Sequence, residues 1–460
     1  MGMMPQQGSW QMHDSLHWLG KEAPRYTSYP SAHHFGDLAA DTYAGWLATL
    51  KPEDSVGLYL HVPFCEEMCW FCGCNTHITR RYDPVESYVD RLMAEIAMIG
   101  DQLGFRPKVH GIHFGGGSPG IMTPQTLDRL MKAVHTQFAI QPGAEISIEL
   151  DPRHITVEKA EAYAAHGFNR VSLGVQDTQP QVQQAINRIQ PIAMIADRVA
   201  LLRRQGLDAI GIDLIYGLPF QTCDSIQATL DDVRRLGADR ISAFSYAHVP
   251  WVKKHQTLID TAALPSIADK AAQYLLIDKV LQTQGYVAIG IDHFAKPDDG
   301  LARALAGHTL RRNFMGYTDQ PNDRLIAFGA SSISELDQGL AQNIPQSTTY
   351  QATLARGEMP TKRGWAYRGD DAVRKALISE LMCYFTADAG AVARSHGLDD
   401  DYFDADMAGL AEFAAAGLIE IDGRRITFVS PLKMLVRSVA CVFDVYAREA
   451  EGGNRYSKVA

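Results

Sequence analysis

Between about residues 55 and 245, short apolar runs alternate with segments of helical periodicity, and this alternation constrains the fold more than any other feature. The spacing predicts strands at Val56–His61, Gly111–Phe114, Glu145–Glu149, Arg170–Leu173, Ala209–Ile215 and Arg240–Phe244. Helices are expected between them at Val85–Gln102, Thr123–Gln137, Val157–His166, Met194–Gly206 and Cys223–Leu236. Strands separated by helices imply a parallel sheet with right-handed crossovers. Six strands fit either an open doubly wound sheet or an incomplete TIM-type barrel. In both, the chemistry gathers at the carboxyl ends of the strands. There the sequence places His61, the run Gly115-Gly116-Gly117-Ser118, Glu149, Gln176, Asp213 and Tyr246-Ala247-His248.

The loop after the first strand reads Cys65-Glu-Glu-Met-Cys69-Trp-Phe-Cys72-Gly-Cys74. Three thiolates at CxxxCxxC spacing can each take one iron of a [4Fe–4S] cubane and leave the fourth open to an external ligand. A zinc site using all four cysteines is the competing reading, but zinc favours separated ligand pairs. Cys74 is read as a neighbour of the cluster. Cys223, Cys383 and Cys441 lie far from the loop in sequence and are read as small buried apolar residues. Clustered cysteines in a reducing compartment point to metal or redox chemistry rather than disulfides.

Composition narrows the partners. A formal net charge of −10 with no long basic run disfavours nucleic acid. No apolar run approaches the ~18 residues of a membrane span, and the first twenty residues lack a signal-peptide core. A cytoplasmic protein without a membrane partner is therefore expected. From residue 370 onward, helices are followed by a hairpin, Leu418–Ile421 and Ile426–Val429 about Asp422-Gly423, in winged-helix order but without a basic face.

On the rim, glycines at a strand end allow close backbone approach and expose N–H donors. Glu149 and Asp213 can accept bonds from ribose hydroxyls or an ammonium group. Arg188 can fork onto a carboxylate, and Gln176 can both donate and accept. His61 is placed to bond a ligand or to orient the cysteine loop.

These motifs resemble the radical S-adenosylmethionine (SAM) superfamily, with the aromatic Phe71 before the third cysteine. The resemblance extends over nearly the whole chain to the oxygen-independent coproporphyrinogen III oxidase family. The specific stretches are Pro24-Arg-Tyr-Thr-Ser-Tyr-Pro30 and Arg312-Asn-Phe-Met-Gly-Tyr317, supported by Glu149-Leu-Asp-Pro-Arg153, Gly174-Val-Gln-Asp177 and Asp292–Asp298. Haem-chaperone homologues, the alternative, lack the first two.

The resemblance implies an α/β fold: a partial (β/α)6 TIM-type barrel with a mostly helical C-terminal domain. The expected organisation is a substrate-covering segment at 1–50, the barrel and its extension at 51–365, and a winged-helix-like domain at 366–460. It further implies a [4Fe–4S] cluster on Cys65, Cys69 and Cys72, and two SAM molecules. Contacts to SAM are implied for Tyr59, Phe71, Gly116, Gly117, Ser118, Glu149, Gln176, Arg188, Asp213, Ala247 and Ile333, with Tyr59 and His61 nearest the chemistry. The implied reaction converts two propionates of coproporphyrinogen III to vinyl groups, drawing on an electron donor and an acceptor. Because the substrate carries four carboxylates, Arg25, Arg311 and Arg312 are candidate partners. A monomer is expected.

Overall fold

The computed structural model describes residues 17–321, 323–448 and 458–459. Contacts divide the chain into two units. The larger comprises Phe35–Leu264 and Gln320–Tyr367; the smaller comprises Met1–His34, Pro265–Asp319 and Arg368–Ala460.

In the larger unit six parallel strands carry the alternation: β1 (Ser55–Val62), β2 (Lys108–Gly116), β3 (Ala139–Leu150), β4 (Arg170–Gln176), β5 (Ala209–Tyr216) and β6 (Arg240–Ser245). The crossovers are α1 (Asp83–Leu103), α2 (Pro124–Gln137), α3 (Val157–Ala165), α4 (Ile192–Arg204) and α5 (Cys223–Leu236). Each expected strand and helix is present, with ends shifted by a few residues. Val56, Leu58, Leu60 and Val62, which share one face of β1, are completely buried, whereas Ser55 and Tyr59 on the other face are half-buried. Three crossover helices start on a threonine side chain that accepts a backbone N–H: Thr123, Thr156 and Thr222. Each such cap is worth about 1 kcal/mol.

The array does not close on itself. Beyond β1 lies β7 (Leu325–Phe328), parallel to it, then an antiparallel run of β8 (Ile333–Leu336), β9 (Gly339–Asn343) and β10 (Thr361–Ala366). This is the partial barrel with an extension. The extension strands have four to six residues each, too short for periodicity to announce them.

The smaller unit holds the helices Ile267–Thr283 and Asp371–Tyr384, a hairpin of Arg311–Asn313 with Gly316–Thr318, and a three-stranded sheet. In that sheet Ile419–Asp422 and Arg425–Phe428 form the expected hairpin, joined by Thr386–Asp388. Among the described residues, no helix is long and apolar enough to cross a membrane. The isolated cysteines are not alike. Cys383 is buried and Cys441 half-buried, whereas Cys223 is exposed, because it opens α5 just after the Thr222 cap.

Candidate active site

The cysteine loop leaves β1 through Phe64–Cys65, which pairs with His77–Ile78 so that the loop returns beside its own start. Its sulfurs receive donors from four directions. Thr76 Oγ1 donates to Cys65 Sγ (3.3 Å), Arg188 Nη1 to Cys69 Sγ (3.3 Å), Arg153 Nη2 to Cys69 Sγ (3.8 Å) and the Cys74 N–H to Cys72 Sγ (3.4 Å). Donors aimed at sulfur are what cluster thiolates require, and they tune its potential. The residues present fit a [4Fe–4S] group. Among the described residues, no group of three or more His, Cys, Asp or Glu is placed to hold a single metal ion. A cubane instead takes one thiolate at each of three separate irons.

The thiols differ in acidity. The Cys74 thiol, hydrogen-bonded to Cys72, brings Cys72 below its ordinary value against the opposing effect of burial, helped by His255 and Lys253. Burial pushes Cys65 up to about 11, partly offset by Thr76.

Arg188 is buried and fully engaged. It donates to the Gly174 carbonyl (2.6 Å from Nη2), to Asp151 Oδ2 (3.0 Å) and to Cys69. Asp151 also takes Arg153 (2.7 Å). Burial opposes its ionisation, yet Arg188 and Arg153 hold it well below the usual carboxylate range. The Arg188 fork, Nε and Nη2, closes on the Gly174 carbonyl, and Nη1 alone reaches Asp151.

The end of β1 and the rim carboxylate form a second group. Tyr59 O–H donates to His61 Nδ1 (3.0 Å), and His61 Nε2 meets the Asn75 carbonyl (3.2 Å). One tautomer satisfies both contacts: the proton is on Nε2. Burial lowers the His61 pKa, favouring this neutral form. Glu149 Oε1 meets His113 Nε2 (3.0 Å), and His113 Nδ1 meets Ser147 (2.8 Å). The His113 ring also stacks on Tyr59, with centroids 5.9 Å apart. Burial would raise Glu149, but His113, His61 and the Gly116 N–H bring it net below its ordinary value. Sequence reading missed His113, although it lies on β2 in register with Tyr59 and Ser147. That register exists only in the assembled sheet, so the sequence carried no signal for it.

The glycine run meets the cysteine loop. The N–H groups of Gly117 and Ser118 donate to Val62 O (2.9 Å) and Phe64 O (2.8 Å) rather than standing open. The close approach these glycines allow is to the cysteine loop itself. A Cβ on Gly117 would lie 2.6 Å from Phe64 O, and one on Gly116 2.6 Å from the His61 ring. Gly116 has φ +112, which side-chain-bearing residues rarely adopt.

Asp213 lies inside β5 rather than at its end, with Oδ2 accepting from Ser172 (3.0 Å). Gln176 closes β4 in a left-handed conformation, φ 66. Phe71 and Trp70 pack against Val182, Ile186, Leu218, Tyr246 and Ile259. Gln256 joins Phe71 O (2.9 Å) to Ala247 O (3.3 Å), so the rim after β6 is tied to the cysteine loop. Ile333 opens β8, opposite Gln342.

In the smaller unit, Arg312 Nη2 donates to the Arg25 carbonyl (3.4 Å) and its guanidinium lies 4.4 Å from the centre of the Tyr317 ring. Its Nε and Nη1 are closed from solvent and have no hydrogen-bond partner among the described residues. Arg311 precedes it on the same strand. Burial would raise Asp292, but His293, Arg312 and Arg25 bring it net below its ordinary value.

Comparisons with known proteins agree with this geometry. Residues 59–233 match the Radical SAM superfamily model. The oxygen-independent coproporphyrinogen III oxidase of Bradyrhizobium diazoefficiens is 45% identical over 427 residues, covering 92% of this chain and 94% of that protein. The Escherichia coli K12 enzyme of the same name is 37% identical, covering 95% of each. The solved structure of coproporphyrinogen III oxidase from E. coli, described as a radical SAM enzyme, superposes with a TM-score of 0.88 over 96% of this chain and all of that one. The donor-ringed CxxxCxxC loop at the head of a partial barrel and similarity over nearly the full length place this chain in the oxygen-independent coproporphyrinogen III oxidase family of radical SAM enzymes.

Proposed function

We propose that this chain oxidatively decarboxylates two propionates of coproporphyrinogen III to vinyl groups, giving protoporphyrinogen IX, with Cys65, Cys69 and Cys72 holding a [4Fe–4S] cluster. The observation that carries the reading is the set of three sulfurs, each met by an N–H or O–H donor. When bound, the cluster and SAM would supply the radical chemistry that removes a hydrogen atom from a propionate β-carbon, with carbon dioxide released and one electron passed to an acceptor.

The chain's own residues position and shield. Tyr59 and His61 connect β1 to Asn75 at the exit of the cysteine loop, so the loop and strand move together. Gly116, Gly117 and Ser118 fix the same loop from the side of β2. Glu149, kept ionised by His113, is the acceptor for the amino or ribose donors of SAM. Phe71, Gln176, Arg188, Asp213, Ala247 and Ile333 complete the surroundings of two SAM molecules. In Arg188 the role is indirect, through Asp151 and Cys69.

Arg312, with two buried N–H groups lacking partners, is suited to a substrate carboxylate, with Arg25 and Arg311 beside it. The segment 1–50, of which 1–16 lie outside the described residues, covers substrate, 51–365 carries the radical chemistry, and 366–460 is an accessory helical domain. The protein acts as a cytoplasmic monomer without nucleic-acid or membrane partners.

The test is anaerobic purification with assay of iron and sulfide, then turnover with reductant, SAM and coproporphyrinogen III. Both 5′-deoxyadenosine and protoporphyrin, measured after oxidation, are expected. Iron and 5′-deoxyadenosine without protoporphyrin would refute the substrate, and zinc without sulfide would refute the cluster. Replacing Arg25 by Ala should weaken porphyrinogen binding and leave SAM cleavage intact.

A further inference from the structure

Large apolar side chains are unevenly exposed. Trp251, Val252, Leu258 and Ile189 are each between 57% and 65% accessible, and Ile78 is also exposed. All five belong to segments bonded to the cysteine loop. Ile78 is the register partner of Cys65. Ile189 follows Ile186, whose carbonyl accepts the Trp70 N–H (3.0 Å), and Asn187, whose amide donates to Met68 O (2.8 Å). Trp251 and Val252 directly precede Lys253, which donates to Cys74 O (2.8 Å). Leu258 follows His255, bonded to Cys72 O (2.7 Å), and Gln256, bonded to Phe71 O. Exposed apolar residues scattered singly mean little, but a group gathered round one loop marks an interaction surface.

The charge of this collar is opposite to that of the chain. Lys253, Lys254, His255 and Arg80 lie on the same stretches, with Lys254 and Arg80 exposed, whereas the chain as a whole carries −10. The acids nearest the loop are engaged: Glu66 with His154 (3.3 Å), Glu67 with Arg153 (2.6 Å) and Asp83 with Arg81 (2.6 Å). An apolar, cationic surface complements an acidic partner with an apolar centre. Small, weak, electrostatically steered interfaces are characteristic of electron-transfer encounters. A partner seated here lies against segments hydrogen-bonded to the main chain of the cysteine loop, which keeps the protein path for an electron short.

We propose that the collar formed by Ile78–Arg80, Ile189 and Trp251–Leu258 docks an acidic one-electron carrier protein that reduces the cluster. The carrier is oxidised by one electron and the cluster reduced by one, with no group transferred. The proposal rests on the cluster reading above.

The experiment uses the full anaerobic, cluster-loaded protein with a flavodoxin as the acidic carrier. Two readouts are taken: the affinity of the carrier for the protein by anisotropy, at low and high salt, and the rate of cluster reduction by reduced carrier or by dithionite. Trp251→Ser and Lys254→Glu are the variants, since both side chains are exposed. In the original chain, affinity should fall with added salt. Each variant should weaken carrier binding and slow carrier-driven reduction by about tenfold, as for a lost interfacial charge or anchor, while dithionite reduction stays unchanged. Carrier-driven rates and affinity that do not respond to either variant would overturn the proposal. So would a change in sedimentation with those rates unaltered, which would make the collar a contact between copies of this chain. Absent iron and sulfide would instead strike the cluster reading, leaving the two failures distinguishable.

Discussion

Glu95 stands on α1 with its carboxylate buried, accepting from the Gly329 N–H (2.8 Å), Asn343 Nδ2 (2.6 Å) and the Tyr350 hydroxyl. Burial pushes its pKa up to about 7 from an ordinary 4.5, with those three donors opposing. The folded protein therefore keeps a proton that the unfolded chain loses as pH rises above 4.5. Stability contributed by this group declines between about pH 4.5 and 7, by roughly 3 kcal/mol at ~1.4 kcal/mol per unit. Denaturant unfolding of Glu95→Gln beside the original chain at pH 5 and pH 8 should show that slope reduced in the variant; parallel curves would contradict the assignment. At the cluster, Thr76→Val removes a donor from Cys65 Sγ. The expected result is a lower reduction potential with iron content preserved, read by redox titration with electron paramagnetic resonance. An unmoved potential would mean the hydroxyl does not act on the cluster.

The glycine run after β2 shows what an element adds to a motif. Its sequence announces a tight approach but not what is approached, and the nearest backbone is Phe64, across the sheet in the cysteine loop. Gly117→Ala would bring a methyl within 2.7 Å of Phe64 N and Thr76 Oγ1, closer than packed atoms tolerate. Since the backbone cannot swing away like a flexible side chain, the loop must shift. Anaerobic reconstitution of Gly117→Ala should yield severalfold less iron and sulfide while far-ultraviolet circular dichroism is retained; full reconstitution would show that the loop accommodates the methyl. The six parallel strands were legible because each is a short apolar run between segments of helical periodicity. The strands β7 to β10 were not, since they lie among turns and owe their pairing to the open edge of β1.

Over the whole molecule, sequence-distant segments are joined by buried polar contacts. Within the smaller unit, buried Arg437 donates to the carbonyls of Pro24 (2.9 Å), Val459 (3.3 Å) and Ala23. Tyr26 reaches Asp444 (3.1 Å), anchoring the Pro24–Pro30 stretch to the C-terminal region. Arg437→Met leaves buried carbonyls unpaired, each costing about 1–3 kcal/mol. A Tm lower by several degrees and faster proteolysis near residues 20–30 are expected. An unchanged Tm would show that other contacts suffice to hold this segment.

The sequence by itself determined the β/α alternation, the rim that carries polar residues, the CxxxCxxC loop and the family, because periodicity and spacing are local properties of the chain. Tertiary structure decided which donors meet which sulfurs, that Arg188 is engaged by Gly174, Asp151 and Cys69, that His113 supports Glu149 and that Asp213 accepts from Ser172. Those outcomes depend on register between neighbouring strands and on burial, and both arise only when residues distant in sequence are packed together.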